Sequence, residues 1–225
     1  RQMCIRDSKR PGQPNIWQAP EDAFEAIGLS LDETDPRKRY EAVVFALDRA
    51  IGRVLTALDE SGRADNTFVF FMSDNGAFRL NRKGLDVGIN NPLRSGGVTC
   101  WEGGLRVAAI ARWPGKIKPG SIISQPFWSP DLVPTCARLA RAPLPDEIDF
   151  DGFSAIPLLV GAEQPSRHRS FCFEYRSHAA LRMGDWKIVR ERPDRDWQLF
   201  NLKDDERESR AVSYTHLRAH ETDRH

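Results

Sequence analysis

The chain has 225 residues, 33 basic against 32 acidic side chains, a formal net charge of +1 and 40% hydrophobic residues. Balanced charge without a basic run offers no electrostatic basis for binding nucleic acid or an anionic membrane, and no apolar run approaches the roughly 20 residues of a membrane span. The four cysteines form no C-x-x-C pair, which removes a zinc ribbon or a dithiol redox centre from consideration.

Both ends read as foreign to the protein between them. Met3-Cys4-Ile5-Arg6-Asp7-Ser8 is the translation of a widely used transposon-end sequencing adapter, and Val212 to Thr222 is that of its opposite strand. The expectation is an artefact at 1–8 and 211–225, with 9–210 as protein. In that interior the charges balance, and only His168 and His178 remain, too few for a histidine-built metal centre. Cys100, Cys136 and Cys172 are expected to be small buried hydrophobes.

Lys9 to Asp35 is rich in proline and charge, with one short helical piece at Pro20 to Ile27. From Pro36, Tyr40, Val43, Val44, Leu47, Ala50, Ile51, Val54, Leu55 and Leu58 step by three and four, predicting a helix with one buried face. Asp35-Pro36 supplies its cap and first turn, and Ser61-Gly62 its stop. Thr67 to Met72 is a continuous apolar β-rich run, predicting a strand buried on both faces, as in a parallel sheet flanked by helices. Arg79 to Val98 reads as loop. A second β-rich stretch covers Leu105 to Ala111, and a helix covers Asp131 to Ala142 through Ser129-Pro130. Beyond Asp151-Gly152 the period shortens to strands at Ser170 to Tyr175, Ala179 to Met183, Trp186 to Arg190 and Trp197 to Leu202, an antiparallel sheet.

Ser73-Asp74-Asn75-Gly76 follows the first strand, and the C-terminal ends of strands are where α/β sheets place ligands. An aspartate beside an asparagine offers two hard oxygen donors with one negative charge, which suits calcium or magnesium better than zinc. On the tetrapeptide alone a plain turn is the simpler reading.

The order of segments decides between them. The helix and strand leading into Ser73-Asp74-Asn75-Gly76 are followed by Pro92-Leu93-Arg94-Ser95-Gly96-Gly97 and by Trp101-Glu102-Gly103-Gly104-Leu105-Arg106-Val107. Trp113-Pro114-Gly115-Lys116-Ile117, Asp131-Leu132-Val133-Pro134-Thr135, Arg182-Met183-Gly184-Asp185-Trp186-Lys187 and Leu199-Phe200-Asn201-Leu202 complete a series that resembles the sulfatases of the alkaline phosphatase superfamily.

The resemblance implies an incomplete alkaline-phosphatase-like α/β fold: a mostly parallel central sheet flanked by helices, and a small C-terminal antiparallel subdomain. It divides the chain into the later part of a catalytic domain at 9–160 and that subdomain at 161–210. It implies that Asp74 and Asn75 ligate a metal, Ca2+ or alternatively Mg2+, completed by two aspartates from an earlier strand. The implied reaction is metal-dependent hydrolysis of a sulfate ester, with a sulfated small molecule or glycan as partner and a periplasmic or secreted location.

The family's nucleophile is a formylglycine made within a C/S-x-P-x-R motif, and no such motif occurs in the 225 residues. The expectation is therefore a C-terminal fragment, inactive by itself. Gly97 stands where many relatives carry a sulfate-binding lysine, and Pro14 about where many carry a histidine. Lys83 and Arg94, in the adjoining loop, could replace that cation or simply be solvated charges. Two other readings stay open: a phosphonate or phosphate ester hydrolase of the same superfamily, and a non-catalytic binder of sulfated glycans.

Overall fold

The structure, a computed structural model, describes residues 17–79, 86–161 and 166–212. Residues 1–8 and 213–225 of the adapter-like ends, Pro14 and Lys83 lie outside these residues. The element order is α1 (Glu21–Ala26), α2 (Pro36–Glu60), β1 (Val69–Met72), α3 (Glu102–Leu105), β2 (Ala109–Arg112), α4 (Leu132–Ala140), α5 (Ile156–Leu159), β3 (Phe171–Tyr175), β4 (His178–Met183), β5 (Trp186–Arg190) and β6 (Gln198–Asn201). No helix among the described residues is long and apolar enough to cross a membrane. The chain divides into two compact units, each drawn from separated stretches. One takes residues up to Glu60, Ser73–Ala108 and Cys172 onward; the other takes Ser61–Met72 and Ala109–Phe171.

In the first unit, α2 begins as its sequence dictates. Asp35 accepts the N–H of Arg37 at 2.8 Å, and Pro36 occupies the first turn, where a missing N–H costs nothing. Arg39 then fixes the chain before the helix. Its guanidinium lies 4.8 Å over the Phe24 ring and donates to the carbonyls of Trp17, Leu31 and Glu33. The expected apolar face is only partly covered, because of the described helices and strands α1 alone packs substantially on this helix. Ala42 is buried, whereas Val44, Leu47 and Val54 remain 45%, 51% and 65% exposed. Periodicity marks the face a helix offers for burial, and packing decides whether something takes it.

The C-terminal strands of this unit form one sheet in the order β3-β4-β5-β6, and the β4–β5 and β5–β6 pairs are antiparallel as expected. The turn between Met183 and Trp186 uses Gly184 at φ 58, a left-handed conformation that glycine adopts without steric cost. Along β5, Lys187 and Val189 turn inward. Ala180, Val189 and Phe200 from the sheet, with Leu202 just beyond β6, close on Cys100 and Trp101, so the core of the unit joins the glycine-rich loop to the strands.

The second unit corrects two expectations. β1 pairs antiparallel with β2, in the register Val69↔Arg112 to Met72↔Ala109, and Phe71 is 37% exposed. Phe68 and Phe70, on one face, join an aromatic cluster with Trp113 and Phe127, while Phe71 on the other face is exposed. β2 starts at Ala109, four residues later than predicted, because Glu102–Leu105 turns into helix α3. Cys136 and Cys172 are exposed, and of the three interior cysteines only Cys100 is buried. Asp131, 3% exposed, anchors the rest of this unit. It accepts from the N–H groups of Trp128 and Phe153 and lies 2.8 Å from His168 Nε2, whose ring is packed by Trp128, Phe153 and Phe171.

Candidate metal and substrate site

The turn that follows β1 is built from backbone hydrogen bonds. Ser73 N–H donates to Ala108 O at 3.1 Å, the Ser73 hydroxyl donates to Asn75 O at 2.9 Å, and Gly76 N–H donates to Gly104 O at 3.0 Å. These bonds fix Asp74 and Asn75 between two anchored residues. The Asp74 side chain is exposed and Asn75 is half-buried.

The turn rests on a layer of glycines. A Cβ on Gly76 would overlap the carbonyl of Gly103, and one on Gly97 would overlap Gly76 O and come within 2.7 Å of Asn75 Oδ1. Glycine is required at both positions because backbone meets backbone there. Asn90, a residue with no evident signal in the sequence, fastens this layer. Its Oδ1 accepts from Ala77 N–H at 2.8 Å, and its Nδ2 donates to Ala77 O and Ser95 O at 2.8 and 3.0 Å. Gly97 N–H donates to Ala77 O at 2.9 Å, adding a parallel bridge between Phe78 and Gly97. Ser95 and Val98 hold left-handed φ of 62° and 66°, costly for residues with a Cβ and sustained by the contacts around them.

Behind the glycines lies a buried charge cluster. Lys187 Nζ, with no exposed side-chain surface, stands 2.7 Å from Glu102 Oε1 and 2.8 Å from Glu208 Oε1. The second of these is an ion-pair contact whose angles fall short of a hydrogen bond. Glu208 Oε2 accepts from the N–H of Glu102 at 2.6 Å, and Arg182 approaches Glu102 Oε2 at 3.9 Å. Arg94 stacks 3.6 Å over the Trp101 ring and donates to Glu208 O at 2.9 Å. Trp101 in turn donates to Glu191 at 3.0 Å. Glu208 carried no sequence signal, since it sits in a run of charges that reads as a solvated surface.

Burial pushes the Glu208 carboxyl above its ordinary value of 4.5, and the nearby Lys187 charge only partly offsets this. A folded-state pKa above the unfolded one means that the folded protein binds the proton more tightly. The associated stability is fully present below about pH 4.5 and is lost as pH rises through the raised value. Urea unfolding at stepped pH from 4 to 8 is therefore expected to show a decline in stability on this limb that Glu208→Gln removes. An unchanged slope in the variant would assign the decline to another group.

The predicted site residues thus divide. Asp74 and Asn75 share one anchored turn, and Arg94 belongs to the loop that supports it, with its guanidinium already engaged by Trp101 and Glu208. His178 opens β4, and its Nδ1 is buried without a hydrogen-bond partner. The Asp74 carboxylate and the Asn75 amide oxygen have the donor chemistry for a hard cation, but two donors fall short of the six to eight oxygens calcium takes. Among the described residues no group of three or more His, Cys, Asp or Glu gathers to complete such a site.

The sulfatase family model matches residues 6–142. Steryl-sulfatase of Rattus norvegicus is 43% identical over 139 residues, 60% of this chain and 24% of that protein. Among solved structures, Ps i-CgsB in complex with k-i-k-neocarrahexaose superposes with a TM-score of 0.76 at 31% identity, over 95% of this chain and 46% of that one. BT4656 in complex with its substrate D-glucosamine-2-N,6-O-disulfate gives a TM-score of 0.59 at 25% identity, over 83% of this chain and 38% of that one. The chain belongs to the sulfatase family and carries part of its alkaline-phosphatase-like α/β fold. It spans about a quarter of the length of the steryl-sulfatase it matches.

Proposed function

We propose that this chain is part of a metal-dependent sulfatase that hydrolyses the sulfate ester of a sulfated carbohydrate, and that Asp74 and Asn75 contribute two of the cation's ligands. The carrying observation is the Ser73–Gly76 turn, held at both ends by backbone bonds so that an exposed carboxylate and an amide oxygen stand side by side. The sugar disulfate that is the substrate of BT4656 supports a sulfated carbohydrate as substrate class.

When bound, the cation would neutralise charge on the sulfate oxygens as a Lewis acid. Asp74 supplies the charged ligand and Asn75 a neutral one, and the glycine layer keeps side chains off Asn75 Oδ1. No C/S-x-P-x-R motif is present in the 225 residues, so under this proposal the nucleophile comes from another part of the protein. Arg94 serves as an anchor of the loop rather than as a sulfate ligand.

The test is steady-state kinetics across a calcium titration, in a protein in which this chain is joined to a segment carrying that motif. Asp74→Ala is expected to abolish turnover with the fold intact, because loss of the charged ligand removes the cation. Asn75→Ala is expected to do less, since water replaces a neutral carbonyl more easily. Near-normal turnover of Asp74→Ala at low calcium would reduce Ser73-Asp74-Asn75-Gly76 to a turn.

A further inference from the structure

The cluster of Lys187, Glu102 and Glu208 lies away from the turn that bears Asp74, yet the two are linked through an unbroken series of bonds. Glu208, at φ 52 in the C-terminal turn, gathers both ends of the glycine loop. Its carbonyl accepts from Arg94, where the loop begins, and its carboxylate accepts from the N–H of Glu102, where the loop enters α3. The next two residues complete the connection. Gly103 N–H donates back to Arg94 O at 2.9 Å, and Gly104 O receives the N–H of Gly76. A shift of Glu102 therefore shifts the acceptor that anchors the far end of the Asp74–Asn75 turn.

We propose that Glu208, Lys187 and Glu102, together with Arg94, act as positioning residues for the Asp74–Asn75 turn, by fixing the one placement of the glycine loop on which that turn rests. As a statement about a cation site, this rests on the function proposed above. As a statement about the turn, it stands on geometry alone.

The choice of charged groups is the argument for positioning over simple adhesion. Taking three charges out of water is expensive, and apolar side chains of similar volume commonly hold a core as well or better. What an ammonium between two carboxylates adds is directionality. Lys187 Nζ is within 2.8 Å of both acids at a single displacement of the loop along β5, whereas an apolar contact tolerates sliding. The loop needs that restraint, because Ser95 and Val98 occupy backbone conformations that local preference opposes. The glycines at 76, 97 and 103 have no side chains to interlock, so their alignment must be set from outside the layer.

Amide hydrogen exchange in the full chain tests this without metal or turnover. In Glu208→Ala, the amides of Gly76, Gly97 and Gly103 are expected to exchange about tenfold faster, while the ladder amides of β4 to β6 stay within about twofold of the parent. Glu208→Gln keeps one oxygen for the Glu102 N–H but sets an NH2 donor against Lys187 Nζ, and is expected to restore slow exchange at the three glycines only in part. Should Glu208→Ala not fold, Arg94→Lys loosens the same anchor without burying an unpaired charge, and the same selective pattern is expected at smaller amplitude. Uniform acceleration across loop and sheet would show a cluster that merely stabilises the unit, and unchanged exchange at Gly76 would sever the link; either result overturns the proposal. Failure of the Asp74→Ala kinetics would instead remove the cation from the turn and leave the exchange pattern standing.

Discussion

Lys187→Met is expected to lower the stability of the chain by about 3–5 kcal/mol, the range for breaking a buried ion pair by removing one partner. Methionine fills much the same volume as the lysine stem, so the loss is electrostatic rather than a cavity. Glu102 and Glu208, 4% and 0% exposed, would be left as neighbouring buried carboxylates with no cation between them. Urea unfolding near pH 7 measures the deficit. Repeating it near pH 5 identifies the cause, because acids without a counter-charge take up protons and the deficit should shrink. Adding Glu102→Gln and Glu208→Gln to Lys187→Met should recover part of the loss, since a buried amide still needs hydrogen bonds but no counter-charge. A deficit that ignores pH would point to packing.

Gly97→Lys, which installs the lysine expected there from the family resemblance, is expected to cost about 3 kcal/mol and to gain no affinity for inorganic sulfate. The first carbon of any side chain at 97 meets Gly76 O, Asn75 Oδ1 at 2.7 Å and the Phe78 ring at 3.0 Å. Gly76 O belongs to the backbone layer and cannot swing aside like the end of a flexible side chain. The lysine would therefore act first on Asn75 and the turn, and only then on an anion. Thermal unfolding with a sulfate titration followed by NMR separates the two effects. Tighter sulfate binding with unchanged stability would mean that the 95–99 loop is free to adopt another path, and that Gly97 is a vacant sulfate position rather than a packing requirement.

What the sequence determined is what short-range chemistry controls. The three-and-four spacing of α2 and the Asp35-Pro36 cap produced the helix, since both act within one or two turns of the chain. Short β-rich runs between tight turns produced β3 to β6, and the ordered segments around Asp74 and Glu102 pointed to the sulfatase family. Long-range pairing was decided by tertiary structure alone. The run at Thr67 to Met72 announced a strand but not its partner, and that partner is the antiparallel β2, some 40 residues on. The apolar stripe of α2 announced a face to be covered but not whether it would be, and Val54 is left 65% exposed. Glu208 shows the limit most sharply. It lies among Asp204, Asp205, Glu206 and Arg207 and differs from them in nothing the sequence displays, yet it alone of these is buried, bonded to a backbone N–H 106 positions earlier. A residue's charge is written in its side chain, but its distance from water is set by segments the chain brings together only on folding.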